Sequence, residues 1–252
     1  MHNSIEKLKH IEEIVKSKEK DLNLKKRPCI IAVSKTFKID KILPLIEADH
    51  EDFGENKVQE AIEKWSNIKL QKPNIKLHLL GRLQTNKVKF AIQIFDFIHS
   101  VDSKKLAKKI ADEQIKYNKN IKIFIQVNLG NENQKSGVKK NELDSLFSYC
   151  KEVGLNVIGL MCIPPVTLDP TPFFKELKSL NDSLNLSDLS MGMSSDYKEA
   201  IENFSTYNQL YGSIGALLIF MLYIWLNSNV LLLGFELNAT LMSLKNKSKK
   251  NN

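Results

Sequence analysis

The chain has 252 residues, enough for one large domain or two small ones, and its 42% hydrophobic and 26% charged content is that of an ordinary globular protein. Its net charge of +8 suits an anionic ligand, but no dense Lys/Arg stripe interleaved with aromatics points to nucleic acid. Cys29, Cys150 and Cys162 and five scattered histidines lack metal-ligand spacing, and the charged residues 1–28 lack the apolar segment of a secretory signal, so reduced thiols in a cytoplasmic protein are expected.

In chain order, Ile5, Leu8, Ile11, Ile14 and Val15 space out one face of an amphipathic helix over 4–20. Pro28 ends the connector, and CIIAVS (29–34) is a short apolar strand. A strand–junction–helix pattern then repeats. A helix over 39–48 precedes a strand near 52–54, and a helix carries Val58, Ala61, Ile62 and Trp65. KLHLL (76–80) is followed by a short helix, FDFIHSV (95–101) by a helix over 103–117, and IKIFIQVN (121–128) by a helix with Leu143, Leu146 and Phe147. NVIGLMCI (156–163) leads through a Pro-rich loop to a helix near 172–184, and DLSMGM (188–193) to a helix at 195–203. Seven such units imply parallel strands with right-handed crossovers, and a (β/α)8 TIM-type barrel lacking its eighth unit fits better than an open doubly wound sheet.

Functional groups in such barrels gather past the C-terminal strand ends. Lys35 emerges there from the first strand. Partial desolvation would favour its neutral amine, able to form a Schiff base with an aldehyde; a solvated or salt-bridged lysine is the plainer alternative. Ser190 to Ser195 joins the last strand to a helix, with Ser194 or Ser195 as the expected N-cap, and reads equally as an anion site or a simple cap. A phosphate site and a Schiff-base lysine in one barrel mouth suggest pyridoxal 5′-phosphate (PLP).

Residues 30–203 resemble the PLP homeostasis family (YggS/PROSC type), relatives of the alanine racemase N-terminal barrel. The resemblance is carried by Ala32-Val-Ser-Lys35-Thr, Asp52-Phe-Gly-Glu-Asn56-x-Val-Gln-Glu60, His78-Leu-Leu-Gly-x-Leu-Gln-Thr-Asn-Lys87, His99-Ser-Val-Asp102, Gln126-Val-Asn128, Lys135-Ser-Gly137, Gly159-Leu-Met-Cys-Ile-Pro164 and Leu189-Ser-Met-Gly-Met-Ser-Ser-Asp196. It implies a non-catalytic PLP carrier or regulator of the vitamin B6 pool, with PLP on Lys35 as an internal aldimine. Asn56 and His78 would lie in the cofactor pocket, and Gly192, Met193, Ser194 and Ser195 would hold the phosphate. A monomer is expected, with PLP-dependent enzymes as recipients. A PLP-dependent amino-acid racemase is the enzymatic alternative, but nothing after residue 203 resembles the second domain that such racemases require.

The family pattern continues into an eighth strand, Gly-Ser-Thr-x-Val-Arg-Ile-Gly-Thr, whose arginine faces the pyridine nitrogen. Here the chain instead runs Phe204-Ser-Thr-Tyr-Asn-Gln-Leu-Tyr-Gly-Ser-Ile, with no arginine. Lost phosphate hydrogen bonds, at roughly 1.5–3 kcal/mol each, would weaken PLP binding. Residues 1–203 therefore read as an incomplete PLP barrel and 204–252 as a hydrophobic tail. Gly212 to Gly234 is uncharged and long enough for a membrane-spanning helix; a buried apolar segment patching the barrel is the alternative. Tyr211 to Trp225 and Leu231 to Ala239 resemble one span of the YihY/BrkB membrane-protein family. The basic KNKSKK after the span favours a cytoplasmic C-terminus, opposite to what one span after a cytoplasmic barrel would give. That mismatch suggests a gene fusion, and a nonfunctional membrane-associated fusion product is a third reading.

Overall fold

The computed structural model describes residues 3–24, 26–130, 132 and 136–204, all within the first of two compact units, Met1–Ser205. The apolar stretch 212–234 and Lys135 lie outside the described residues.

Seven parallel strands lie in one sheet in sequence order: β1 (Ala32–Val33), β2 (Asp52–Glu55), β3 (Lys76–Leu79), β4 (Phe97–Val101), β5 (Lys122–Gln126), β6 (Asn156–Met161) and β7 (Asp188–Ser190). Helices α1 (Asn3–Asp21), α2 (Leu43–Glu47), α3 (Val58–Gln71), α4 (Val88–Ile94), α5 (Lys104–Tyr117), α6 (Leu143–Glu152), α7 (Thr171–Ser183) and α8 (Tyr197–Phe204) alternate with them. The amphipathic spacings of the sequence thus form helices where expected, with one break. The 39–48 segment splits into a 3-10 turn (Ile39–Lys41) and α2, because Pro44 in the first turn of α2 has no N–H to continue the earlier turn.

Alternation along the strands divides the core into two faces. Phe53, Leu77, Leu79, Ile98, Ile123 and Ile125 are fully buried and form the helix-facing layer, together with Trp65, Ile92, Ile110, Leu143 and Phe174 from the helices. Phe53 and Trp65 meet with ring centroids 4.8 Å apart. The opposite face carries Gly54, His78, Phe97, His99 and Phe124. Its curvature is shown by a single bond: His99 of β4 lies 2.7 Å from Ser190 of β7, although two strands separate them in the sheet.

Among the described residues β7 pairs with β6 only and β1 with β2 only, so the sheet is a seven-stranded curl rather than a closed ring. The edges show it. Val33 of β1 is 42% exposed, whereas Ile98 and Ile123 of the central strands are wholly buried. Near the N-terminal side of the strands the two edges are tied by charge: Lys26, just before β1, pairs with Asp188 of β7, and Lys18 of α1 lies 2.5 Å from Glu202 of α8.

Candidate functional site

The end of β1 is a tight turn. Phe37 N–H donates to the Ser34 carbonyl (3.2 Å), closing residues 34–37, and Thr36 at its third position has φ of +66°. A β-branched residue in the left-handed region costs about 1–3 kcal/mol and persists only where its surroundings fix it. Here they do. The Glu60 carboxylate accepts the Thr36 N–H at 2.8 Å. That bond, followed by the hydrogen bond and charge of Lys64, holds Glu60 below its usual carboxylate range against the opposing effect of burial. Lys64, one turn along α3, donates to the Ser34 carbonyl and to Glu55 Oε1, each at 2.8 Å, and reaches Glu60 at 3.4 Å.

Glu55 is fully buried. Its Oε1 accepts from Ser34 Oγ (2.7 Å), Lys64 Nζ (2.8 Å) and Trp65 Nε1 (2.9 Å), while its Oε2 is buried with no hydrogen-bond partner. The sequence shows Glu55 only as one residue of the 52–60 motif. The available signal was the spacing of Glu60, Lys64 and Trp65 along one helix, which turns two charges and an indole N–H toward the ends of β1 and β2.

Lys35 lies two residues past the end of β1, in the turn, and is exposed, so the desolvation expected of it is absent. The physical reason is that residues 35–38 together form an exposed turn beyond the strand. Asn56 is half-buried, and the loop after β3 is pressed onto it: a Cβ on Gly81 would stand 2.2 Å from the Asn56 carbonyl oxygen. Ser100 Oγ donates to the Gly81 carbonyl at 2.7 Å and fixes that loop from β4.

At the other edge, Ser194 and Ser195 are exposed in the turn before α8, and Met193 is 50% exposed. Asp196, rather than either serine, sits immediately before the helix. Its carboxylate accepts the Met193 N–H (2.5 Å) and its carbonyl the Ala200 N–H (3.0 Å). The N-cap expectation is therefore corrected by one or two residues, which leaves both serine hydroxyls outside the capping interaction. Gly192 has φ of +85°, and a Cβ there would meet the Ala200 Cβ at 2.7 Å, so only glycine fits this turn.

His78 is placed differently from the other expected site residues. It is buried inside the curl, stacked on Phe97 (4.2 Å), with Nε2 3.0 Å from Asp52 Oδ1 and Nδ1 3.0 Å from His99 Nε2. Both ring nitrogens are thus engaged within the protein, and His78 has none to offer a cofactor. His99 continues the chain to Ser190 Oγ. With both imidazoles neutral, the Asp52 carboxylate, which can only accept, orders the donors: His78 Nε2–H to Asp52, His99 Nε2–H to His78 Nδ1, Ser190 O–H to His99 Nδ1. Burial pushes Asp52 up, but the hydrogen bond and charge of His78, with Lys76, outweigh it and hold the carboxyl below its ordinary value. Burial, then the charge of His78, holds His99 well below the usual histidine value. No cluster of three or more metal-ligating side chains occurs among the described residues. Burial pushes the Cys150 and Cys162 thiols up to about 12, away from thiolate chemistry.

Comparison with known proteins bears on these features. The family model described as alanine racemase, N-terminal domain, matches residues 8–208, and that of virulence factor BrkB matches residues 189–252. The pyridoxal phosphate homeostasis protein of Aquifex aeolicus is 38% identical over 187 residues, 70% of this chain and 81% of its own. That of Haemophilus influenzae is 31% identical over 207 residues, 78% of this chain and 86% of its own. Among solved structures, PipY of Synechococcus elongatus with PLP bound is 32% identical with a TM-score of 0.64, covering 75% of this chain and 93% of its own. A Clostridium difficile alanine racemase shares the fold at a TM-score of 0.54 and 15% identity, covering 73% of this chain and 50% of its own.

Proposed function

Because the chain belongs to the pyridoxal phosphate homeostasis family, with an alanine racemase-like N-terminal fold, we propose that it binds PLP and serves intracellular PLP homeostasis without catalysing a reaction. One observation carries the assignment: a lysine on a rigidly held turn at the end of β1, in a chain 32% identical to a protein solved with PLP bound.

The donor set fits PLP. The glycine-only turn at Gly192, with Ser194 and Ser195 before α8, offers two hydroxyls and the backbone N–H groups beyond Met193 to a phosphate, the Met193 N–H itself being taken by Asp196. Asn56 lies at the mouth beside β1, and Lys35 supplies a primary amine. When bound, PLP supplies an aldehyde with which such an amine can bond. Lys35 would hold the cofactor, Asn56 would face it, and the 192–195 turn would bind its phosphate. His78 contributes at one remove, through His99 and Ser190, to the root of that turn. In this reading the carrier acts as a monomer and its recipients are PLP-dependent enzymes.

The test uses the full chain. With PLP it should develop an absorption band near 420 nm (roughly the value general to PLP–lysine adducts) that is absent from Lys35→Ala. A wild-type chain with no such band refutes the assignment.

A second reading concerns the tail. The BrkB match to residues 189–252 supports a membrane-associated segment at 212–234 and a gene fusion near residue 204. No described helix is long and apolar enough to cross a membrane, and that segment lies outside the described residues. Fractionation decides: recovery that requires detergent supports the tail as an anchor, and a fully soluble, monodisperse chain refutes it.

A further inference from the structure

Lys35 lies between two peptide groups, and α3 holds both. The carbonyl of the first, on Ser34, accepts from Lys64 Nζ (2.8 Å), while the Ser34 N–H donates to the Gly54 carbonyl (2.9 Å). The N–H of the second, on Thr36, donates to Glu60 Oε1 (2.8 Å). Fixing the peptide planes on either side of a residue fixes its φ and ψ, and with them the direction of its Cα–Cβ bond. Glu60 and Lys64 are one helical turn apart and reach each other at 3.4 Å, so the two holds act as one device. Lys64 is in turn locked by the buried Glu55, which also takes the Ser34 hydroxyl and the Trp65 indole.

The left-handed Thr36 explains why such a device is needed. Glycine would adopt φ of +66° without cost, whereas threonine must be held there. The hold falls on the residue directly after Lys35, at the sheet edge, where among the described residues β1 pairs with β2 only. Without it, the turn could relax and swing the lysine away from the mouth.

We infer that Glu60, buttressed by Lys64, is a positioning residue for PLP binding: it clamps the Thr36 N–H, keeps the turn in its left-handed form and so aims the Lys35 amine. The inference rests on the assignment of Lys35 as the residue that holds PLP.

The test titrates PLP into the full chain and follows the visible band, with thermal unfolding measured alongside. Glu60 has a side chain 30% exposed, so its replacement leaves the core untouched. Glu60→Ala should raise the Kd about tenfold, in line with loss of one charge-assisted hydrogen bond. Glu60→Gln keeps an oxygen able to accept the Thr36 N–H and should stay within about threefold. In a Thr36→Gly background the turn needs no clamp, and Glu60→Ala should then raise the Kd by less than about twofold. A merely structural salt bridge would lower the unfolding midpoint without moving the Kd. An unchanged Kd in Glu60→Ala, or an equal loss in both backgrounds, overturns the clamp. Lys35→Ala identifies the other failure: if it keeps the band and the affinity, the assignment of Lys35 is wrong and the clamp falls with it.

Discussion

Replacing His99 by Phe measures what the interior hydrogen-bond chain contributes. The new ring can keep the stack on Phe124, now 4.3 Å between centroids at 21°, so apolar burial changes little. The loss is polar. His78 Nδ1, buried, loses its donor, and the half-buried Ser190 hydroxyl loses its acceptor. A stranded buried group costs about 1–3 kcal/mol, and the serine can turn toward water, so a total of about 2–3 kcal/mol is expected. In a domain of this size that is a fall of about 5–10 °C in the unfolding midpoint. His78→Phe/His99→Phe removes both partners of the buried His78–His99 bond and leaves Asp52 and Ser190, each half-buried and able to meet water, so the double variant should cost less than the sum of the singles. The pH dependence has a definite sign. Burial, then the charge of His78, depresses the folded-state value of His99 below that of an ordinary histidine, so below the ordinary value the unfolded chain takes up a proton that the folded one refuses. Its contribution is therefore complete above the unfolded value and eroded as the pH falls below it. The gap between wild type and His99→Phe should accordingly narrow on going from about pH 7.5 to about pH 5 in thermal melts of the full chain. Strictly additive singles, or a gap that widens in acid, would refute the reasoning.

Gly159→Ala should disrupt the β6–β7 pairing, because its Cβ would fall 1.9 Å from the Asp188 carbonyl oxygen and 2.9 Å from the Phe124 ring. The first obstacle is backbone, so the strand must move, and a loss of about 3 kcal/mol with reduced PLP affinity is expected by chemical denaturation and band titration. Asp196→Ala removes the acceptor of the Met193 N–H in the turn before α8 and should cost about 1–3 kcal/mol in the same melts, as for a hydrogen bond to a charged group. A neutral result would mean that the turn is held by something other than this bond.

Much of this fold could be read from hydrophobic spacing, because each strand–helix unit carries its own pattern. The clearest sequence strand, 121–128, is observed as Lys122–Gln126, while 29–34 shortens to Ala32–Val33. The shortening is tertiary in origin: the apolar run is real, but among the described residues β1 has a partner on one side only. That Lys35, Asn56 and the 192–195 turn lie just past strand ends was legible, because each strand–helix unit places its junction there. The role of His78 was not. Its partners Asp52 and His99 become neighbours only through the registers Gly54 with His78 and His78 with Phe97, which no local pattern specifies. Glu55 was hidden for the same reason: a carboxylate at a strand end looks solvated until α3 is laid over it.

The in-order sheet has a consequence for how the chain reaches its native state. Every strand pairs with the strand next in sequence, so no described pairing has to wait for the two ends of the sheet to find each other. Units can add one at a time, each closing a loop of a few tens of residues, and the entropic barrier per step stays low. Among the described residues, contacts between the two ends of the unit include Lys26 with Asp188, Lys18 with Glu202 and, at shorter range, His99 with Ser190. These late contacts set the curvature once the strands are in place, so weakening them should speed unfolding far more than it slows folding.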